Sequence, residues 1–205
     1  NIRGTDIERN PVAHAFALLH HDASVDLYVF GDKADDLGAH LGRDIRVHPL
    51  ADFETALSGL KGTIRVDPAT APARVFTTIT AEIARADDPC SLPKACKNAT
   101  EIAGTRNAHL RDAAAMVEFL AWLDAQPEGK LTEIGVVKEL EARRRATNML
   151  RDISFETISG AGPNAAIVHY RVTEDTDRAV NSGELLLIDS GGQYLDGTTD
   201  ITRTV

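Results

Sequence analysis

A break near the middle of the chain is the feature that most constrains its fold. Residues 87–93 read DDPCSLP, and two prolines beside adjacent aspartates end regular structure on both sides. Before the break, β-rich runs alternate with helical runs, whereas after it long helical runs precede a series of β-rich runs. The pattern predicts an α/β domain over residues 1–96 and an α+β domain over residues 97–205.

The first region has the alternation that is typical of α/β structure. Its pattern predicts strands at 25–30, 45–48 and 63–66 and helices at 52–60 and 72–86. The second of these helices is predicted from apolar residues at helical spacing, and Pro72 suits a first helical turn because an N–H there has no partner. Those apolar residues are Val75, Phe76, Ile79 and Ile83.

The second region begins with two predicted helices. Asn98 is a preferred N-cap for a helix that runs to about Ala125, and Thr132 is one for the helix that follows. The inward face of the first helix is predicted to carry Leu110, Ala113, Val117, Leu120, Trp122 and Leu123. The second is predicted to bury Ile134, Val137 and Leu140 and to hold the arginines at 143–145 in solvent. Strands are predicted at 153–158, 166–169, 185–189 and 199–205.

The charge balance limits the partners of the chain. It has 22 basic and 31 acidic residues and a net charge of −9, whereas a nucleic acid or an anionic membrane would need a clustered basic face. Cys90 and Cys96 fit neither a CxxC pair nor a zinc knuckle, which favours free thiols in a reducing compartment. No run approaches the roughly twenty apolar residues of a membrane span, and no signal pattern opens the chain. We therefore expect a cytoplasmic protein without nucleic-acid or membrane partners.

Two aspartates near the end of the chain contrast with the apolar and β-branched runs around them. Asp189 follows the apolar run at 186–188, and Asp200 lies eleven residues later in a second strand-like run. An unpaired buried carboxylate costs several kcal/mol or takes up a proton. The dipeptide Asp196-Gly197 between them predicts a hairpin, so the two carboxylates belong to neighbouring strands.

The register of this hairpin has two alternatives in the sequence. A two-residue turn at the Asp-Gly dipeptide would place Asp200 opposite Gln193. A loop centred at residues 194–195 would instead place Asp189 and Asp200 opposite each other, with about 4.5–5.5 Å between their Cβ atoms. A bulge at the glycines 191–192 would shift the register in that second direction.

Facing carboxylates repel each other, and a bound pair of divalent cations removes that repulsion. Oxygen ligands suit Mn²⁺ or Mg²⁺, and bridging carboxylates hold two ions about 3.5–4 Å apart so that they activate one water. The alternative is that Asp189 ends its strand as a turn residue and that Asp200 is solvated. His169, at the end of the run AAIVH, is a further candidate, although a lone histidine after an apolar run is more often packed or hydrogen-bonded.

Several blocks of the sequence resemble the pita-bread metallopeptidases. LLLIDSGGQYLDGTTDITRTV and, before it, FETISGAGPNAAIVHYR are similar to segments of their cytosolic Xaa-Pro aminopeptidases, the aminopeptidase P group. LPKACKNATEIAGTRNAHLRDAAAMVEFLAWL is similar to the opening helix of that catalytic domain, and NIRGTDIERNPV to a preceding domain of the long, three-domain form. The resemblance implies an incomplete creatinase/prolidase-type N-terminal-like domain over 1–96 and the first half of a pita-bread catalytic domain over 97–205.

The resemblance also implies roles for individual residues. Asp189 matches an aspartate that binds one metal ion, and Asp200 matches one that bridges both. Thr202 matches a threonine that hydrogen-bonds a metal-binding aspartate, and His169 matches a catalytic histidine beside the scissile carbonyl. The implied cofactors are two divalent ions, Mn²⁺ or alternatively Co²⁺ or Zn²⁺. The implied partners are peptides with proline at the second position and a second copy of the chain in a homodimer.

Three further metal ligands, one histidine and two glutamates, are implied beyond Val205. The chain also opens without methionine and stops inside a β-branched run, so we expect a piece of a longer protein that is inactive by itself. For the intact protein the resemblance implies hydrolysis of the bond before proline by a hydroxide held between two metal ions. The alternatives are a prolidase that cleaves only Xaa-Pro dipeptides and a pita-bread module that binds without catalysis.

Overall fold

The structure is a computed structural model that describes residues 4–205, so the first three residues of the NIRGTDIERNPV segment lie outside it. The chain separates into two compact units, one reaching Cys96 and the other running from Lys97 to Val205. The first is α/β and the second is α+β, which confirms the predicted fold class. No helix in the described part of the chain is both long and apolar enough to cross a membrane.

The first unit contains a three-stranded and a two-stranded sheet within its described residues. Its strands are β1 Ala15–Leu19, β2 Val25–Val29, β3 Ile45–Pro49, β4 Thr63–Val66 and β5 Glu82–Arg85, and its helices are α1 Gly38–Leu41, α2 Phe53–Gly59, α3 Ala73–Thr78 and α4 Ser91–Ala95. Strand β2 pairs antiparallel with β1 and parallel with β3, and β4 pairs in parallel with β5. The predicted strands are therefore present, and β1 is an additional strand that the sequence pattern did not predict.

The core of the first unit is apolar. Phe53 and Leu57 lie one turn apart on α2 and are buried with Tyr28 of β2. Phe16 of β1 stacks on Phe53 with 4.4 Å between ring centroids. Val66, Val75 and Ile79 complete the buried cluster. Packing of these side chains holds α2 and α3 against the strands of the unit.

Helix α3 is shorter than the sequence pattern predicts. It ends at Thr78, and residues Glu82–Arg85 form β5, in which Ile83 lies opposite Ile64 of β4. The intervening run TTIT is β-branched throughout, and such residues are stiff at χ1 and favour extended structure. The prediction of a helix over 72–86 is therefore wrong beyond residue 78, because pairing with a strand elsewhere in the chain overrides the local periodicity.

In the second unit two helices precede the strands. They are α5 Ala99–Asp124 and α6 Glu133–Ala146, and the strands are β6 Leu150–Ile153, β7 Ile158–Ala161, β8 Leu186–Ser190, β9 Gly192–Tyr194 and β10 Ile201–Thr204. Strand β8 is central in the antiparallel sheet β10-β8-β7, and β9 pairs antiparallel with β6. The predicted strand at 166–169 is wrong, because a 3-10 helix, Gly162–Ala166, and a turn occupy this segment.

The N-terminus of α5 confirms the predicted cap. The Asn98 side chain accepts a hydrogen bond from the Glu101 N–H at 2.9 Å, and the Glu101 side chain accepts one from the Asn98 N–H at 2.9 Å. The predicted inward face is wrong for Leu110 and Val117, which are 73% and 65% exposed, whereas Leu120, Trp122 and Leu123 pack against the core as predicted. The helix instead buries the face that carries Ala108, Asp112, Ala115, Met116 and Phe119.

Helix α6 begins at the predicted cap, Thr132, whose hydroxyl accepts a hydrogen bond from the Gly135 N–H at 3.2 Å. Val136 and Leu140 pack in the core with residues of α5, β7 and β8. The prediction that all three arginines at 143–145 face solvent is wrong, because Arg144 is fully buried. Its guanidinium pairs with Asp112 of α5, and this pair explains why both helices turn a charged residue inward.

Candidate metal centre

The β8–β10 hairpin brings together two of the residues that the sequence singled out. Asp189 lies opposite Thr202, and Ser190 lies opposite Ile201. Asp200 immediately precedes β10, so the same register places it diagonally across from Asp189, and the two carboxylates are close enough to interact. Both predicted registers are therefore wrong, since Asp200 faces neither Gln193 nor Asp189 directly, yet the two carboxylates still come together.

The turn of this hairpin is fixed by helix α5. Its two central residues are Leu195 and Asp196, because the Tyr194 N–H donates to the Gly197 carbonyl oxygen at 2.8 Å. The Arg111 guanidinium donates two hydrogen bonds, each 3.1 Å long, to the two carboxylate oxygens of Asp196. Such a bidentate contact fixes the orientation of the carboxylate. The turn thus lies one residue before the Asp196-Gly197 position that the sequence favours.

A buried carboxylate on α5 holds the strand next to Asp200. Asp112 accepts hydrogen bonds from the Arg144 Nε at 2.7 Å, the Tyr194 hydroxyl at 2.7 Å and the Thr199 hydroxyl at 2.8 Å. Burial raises the pKa of Asp112, but the hydrogen bond and charge of Arg144, together with the hydrogen bonds of Tyr194 and Thr199, outweigh it and hold that pKa below its ordinary value. Because Thr199 immediately precedes Asp200, this network fixes the backbone next to Asp200.

Gly191 makes the close approach of the hairpin strands possible. A Cβ atom at this position would lie 2.0 Å from the Thr199 carbonyl oxygen and 2.3 Å from the Ser154 hydroxyl. Only glycine leaves room for the backbone there. The Thr199 N–H donates to the Gly192 carbonyl oxygen at 2.9 Å, and the Gly192 N–H donates to the Thr199 hydroxyl at 2.9 Å. The glycines at 191–192 therefore set the register by contact and not by the bulge that the sequence suggested.

The electrostatics of the aspartate pair favour a cation. The pKa of Asp200 is raised, first because neighbouring atoms partly desolvate its exposed side chain, and then because the Asp189 charge and a hydrogen bond to Asp189 favour the protonated form. His109 of α5 acts in the opposite direction. Two like charges held together in this way become compatible when a divalent ion binds between them.

Thr202 is hydrogen-bonded to Asp189, and its role beside a metal ligand stays a prediction. Its hydroxyl donates to Asp189 Oδ1 at 2.9 Å across the β8–β10 pair. This bond fixes one oxygen of Asp189 and leaves the carboxylate oriented for a ligand on its other side. The hairpin thus brings three polar side chains together: Asp189, Asp200 and Thr202.

His169 lies on a different element from the aspartate pair. It is exposed, follows the 3-10 helix 162–166 and has a left-handed backbone with φ 53°. Within residues 4–205 it has no hydrogen bond to Asp189 or Asp200. Its neighbour Tyr170 is buried and anchored by its hydroxyl to Glu133. The role of His169 therefore stays a prediction.

No group of three or more histidine, cysteine, aspartate or glutamate side chains within the described residues could hold a metal ion. The donor set in this part of the chain is two carboxylates, and their oxygens suit hard divalent ions such as Mn²⁺ or Mg²⁺. Two carboxylates fit part of a metal site and do not complete one.

Comparison with protein families divides the chain into two matches. Residues 1–101 match the creatinase/prolidase N-terminal domain, and residues 103–205 match metallopeptidase family M24. The chain belongs to metallopeptidase family M24. Within this family, it is 36% identical over its whole length to a probable Xaa-Pro aminopeptidase P of Aspergillus niger and 38% identical to Xaa-Pro aminopeptidase 1 of Dictyostelium discoideum. It spans 36% and 34% of those two proteins, about a third of the length of each.

Solved structures of M24 enzymes have the same fold. The X-prolyl aminopeptidase of Caenorhabditis elegans, described as a cytosolic enzyme with a di-nuclear active site, superposes with a TM-score of 0.83 at 28% identity. The superposition covers 99% of this chain and 35% of that enzyme. An Xaa-Pro dipeptidase of Bacillus anthracis superposes with a TM-score of 0.74 at 20% identity, covering 95% of this chain and 55% of the dipeptidase. The second likeness shows the fold alone.

Sequence reasoning missed two buried carboxylates, Asp112, which bonds Thr199 beside Asp200, and Glu133, which bonds Tyr170 beside His169. A signal for Asp112 was present, because it lies four residues from both Ala108 and Met116 and so shares their helix face. The arginine run at 143–145 supplied its partner. Neither feature identifies the pair until the two helices are packed together.

Proposed function

We propose that this chain forms part of a longer metal-dependent aminopeptidase that hydrolyses the bond between an N-terminal residue and a following proline. The observation that supports it most is the pair Asp189 and Asp200, held on one face of the β8–β10 hairpin in a member of family M24. The names of its relatives in Aspergillus and Dictyostelium support the same activity.

In this proposal Asp189 and Asp200 would hold two divalent ions, with Mn²⁺ as the proposed metal, together with one histidine and two glutamates from residues that follow Val205. Bound ions of this kind supply an activated water and polarise the carbonyl under attack. The di-nuclear site of the Caenorhabditis enzyme supports two ions. Thr202 would keep Asp189 in the orientation that its 2.9 Å hydrogen bond defines.

His169 would act on the substrate. From its exposed turn its imidazole would donate a hydrogen bond near the scissile carbonyl and stabilise the oxyanion that develops during attack. Proline at the second position makes a dedicated enzyme necessary, since its nitrogen has no N–H and its ring restricts the preceding residue. General peptidases that bind an extended chain through that N–H would therefore bind such substrates poorly.

A prolidase is the second candidate, because the fold is shared with an Xaa-Pro dipeptidase. Peptide length separates the two activities in the longer protein. Release of the first residue from Xaa-Pro tripeptides supports the aminopeptidase, whereas cleavage of dipeptides alone supports the prolidase. If neither substrate is cleaved with Mn²⁺ present, both catalytic proposals fail and the alternative of a non-catalytic module remains.

The test of the metal site is Asp200→Asn in the longer protein. We expect bound metal to fall and hydrolysis of an Xaa-Pro tripeptide to drop by more than about 100-fold, the upper end of losses for residues that surround metal ligands. Asp124→Asn, which removes the same charge from the exposed end of α5, is the matched control and should keep full activity. Full activity of Asp200→Asn with unchanged metal content would exclude the bridging role.

We also propose a cytoplasmic location and a homodimer for the longer protein. The cytosolic Caenorhabditis relative and two exposed free cysteines, Cys90 and Cys96, support the location. The homodimer rests only on the resemblance. Sedimentation of the purified longer protein measures it directly.

A further inference from the structure

A single buried carboxylate holds the whole segment that leads to His169. Glu133, the first residue of α6, is fully buried. Its Oε1 accepts hydrogen bonds from the Ala161 N–H at 2.7 Å and from Asn164 Nδ2 at 3.0 Å. Its Oε2 accepts one from the Tyr170 hydroxyl at 2.9 Å. All three donors belong to residues 161–170, so one side chain bonds the start, the middle and the end of this segment.

Two of these donors, Asn164 and Tyr170, also bond to each other, and backbone hydrogen bonds link the segment between them. Asn164 Nδ2 donates to the Tyr170 hydroxyl at 2.8 Å. The Ile167 N–H donates to the Asn164 carbonyl oxygen at 3.1 Å, and the Tyr170 N–H donates to the Ile167 carbonyl oxygen at 3.2 Å. These bonds close a ring around Glu133. The path of the chain from Asn164 to Tyr170 is thereby defined by directional contacts.

The packing of the segment against its own strand limits its position further. A Cβ atom at Gly160 would lie 2.9 Å from the Asn164 carbonyl carbon and oxygen. The 3-10 helix 162–166 thus lies directly on β7, at a distance that only glycine permits. Asn164 is held from two sides, by the β7 backbone and by the Glu133 carboxylate.

The residues between these anchors have little packing of their own. Ile167 and Val168 are 53% and 82% exposed, and His169 is exposed as well. The left-handed backbone of His169, with φ 53°, is unfavourable for a residue with a side chain and persists only where the surrounding structure imposes it. Tyr170 is the nearest residue that the surrounding structure holds in place, because its ring is buried and its hydroxyl is bonded to Glu133.

We infer that Glu133 is a positioning residue for His169. Through Asn164 and Tyr170 it holds the turn that presents the imidazole, and it touches no substrate because it is fully buried. This inference rests on the proposed function for the statement that His169 contacts the substrate. The anchoring of the turn by Glu133 does not depend on that statement and is measured separately.

A role in overall stability alone predicts something different. Val136 and Leu140 lie one and two turns further along α6 in the apolar core, and they hold the helix without bonding residues 161–170. Val136→Ala therefore removes packing from the same helix without removing an anchor of the turn. It is the control for any effect that comes from stability and not from position.

The experiment uses the longer protein with Glu133→Gln, Tyr170→Phe and the control Val136→Ala. The change Glu133→Gln places an amide nitrogen beside the Asn164 amide donors, and the change Tyr170→Phe removes the hydroxyl. Arg171 follows the turn and has a 70% exposed side chain, so tryptic cleavage after it reports release of the segment. We expect both test variants to be cleaved about tenfold faster than the wild type, as for loss of a buried hydrogen bond. Val136→Ala should be cleaved at the wild-type rate under native conditions.

Kinetics give the second readout. Because the His169 imidazole is proposed to act in the transition state, its displacement should lower kcat more than it changes KM. We expect Tyr170→Phe and Glu133→Gln to lower kcat by about ten- to a hundredfold and to leave KM within about twofold of the wild type. Val136→Ala should have the wild-type kcat and KM when rates are expressed per molecule of folded enzyme. The positioning role is overturned if tryptic cleavage after Arg171 is unchanged in the test variants. It is also overturned if their kcat falls only in proportion to the fraction of folded enzyme. If the wild type hydrolyses no Xaa-Pro peptide, the proposed function fails and the tryptic readout alone decides whether Glu133 anchors the turn.

Discussion

The two units of the chain differ in what their interiors contain. The first packs an apolar cluster around Phe53 and Leu57, and Asp26, a carboxylate that bonds Arg46 and two histidines there, keeps 14% of its side chain exposed. The second buries two carboxylates, Asp112 and Glu133, completely. The residues that we assign to the metal centre and the substrate belong to the second unit. Each of its buried carboxylates bonds a segment that carries one of those residues.

The difference shows what buried polar groups contribute to a site. Apolar packing is non-directional and tolerates shifts of a side chain or a strand. Hydrogen bonds to a buried carboxylate fix both distance and direction. Asp112 fixes Thr199 beside Asp200, and Glu133 fixes Tyr170 beside His169. A buried ion pair is weak evidence for stability, so we interpret the Asp112 and Glu133 carboxylates as groups that position neighbouring segments.

Removal of Arg144 should have the largest effect on stability. Arg144→Ala leaves Asp112 charged and buried without its cation, which costs about 3–5 kcal/mol of unfolding free energy. Trp122, the single tryptophan of the chain, lies in this unit and reports its unfolding in urea by fluorescence. Arg145→Ala, at a neighbouring position with a 62% exposed side chain, should change stability by less than about 1 kcal/mol. Equal effects of the two variants would contradict the assigned role of the buried pair.

Truncation in the apolar core of the first unit should have the next largest effect. Leu57→Ala should lower the unfolding free energy of that unit by about 2–5 kcal/mol, the range for leucine truncations in a packed core. Hydrogen exchange of the β2 amides measures this unfolding free energy. Leu19→Ala, whose side chain is largely exposed at the end of β1, is the control. A loss below about 1 kcal/mol for Leu57→Ala would show that the cluster is loosely packed.

Disruption of the charged cluster around Asp26 should have the smallest effect on the free energy of unfolding, and that effect depends on pH. Arg46 Nε, His20 Nε2 and His48 Nε2 lie 2.6, 2.6 and 2.8 Å from its oxygens. The hydrogen bond from Arg46 is the largest cause that holds the pKa of Asp26 well below its ordinary value. A carboxylate with a lowered pKa contributes stability above its unfolded pKa, roughly 3.9, and loses it as the pH falls further.

Arg46→Ala should therefore raise the pKa of Asp26 and remove part of that acid-sensitive stability. Because the Arg46 side chain is 52% exposed, solvent screens the pair and the loss near neutral pH should be smaller than those of Arg144→Ala and Leu57→Ala. Carboxyl NMR titration of Asp26 measures the pKa, and unfolding at pH values between about 5 and 2 measures the stability. An Asp26 titration identical to that of the wild type would show that the histidines, and not Arg46, hold the carboxylate ionised.

Local chemistry explains which features the sequence predicted well. Asn98 and Thr132 cap the helices as predicted, because capping depends on residues within one turn. The strands at 63–66 and 45–48 followed from β-branched runs. The placement of Asp189 and Asp200 on the two arms of one hairpin followed from the Asp-Gly dipeptide between two strand-like runs. In each case the deciding contacts lie within a few residues or within one hairpin.

The errors arise where the deciding partner is distant. The buried face of α5 could not be chosen from periodicity, since Leu110 and Val117 form as regular a stripe as Ala108 and Met116. The face was decided by the contact of Asp112 with Arg144, 32 residues away in the chain. In the same way, Ile83 fits a helix by spacing and became part of β5 because Ile64 lies beside it.

The sequence by itself determined the fold class, the starts of α5 and α6 and the position of Asp189 and Asp200 on the two arms of one hairpin. Only the tertiary structure decided that Asp200 lies diagonally from Asp189, with Thr202 bonded to the latter. The physical reason is that strand register is set by contacts across elements. Here the Arg111 contact with Asp196, the Asp112 network and the absence of a side chain at Gly191 set it together.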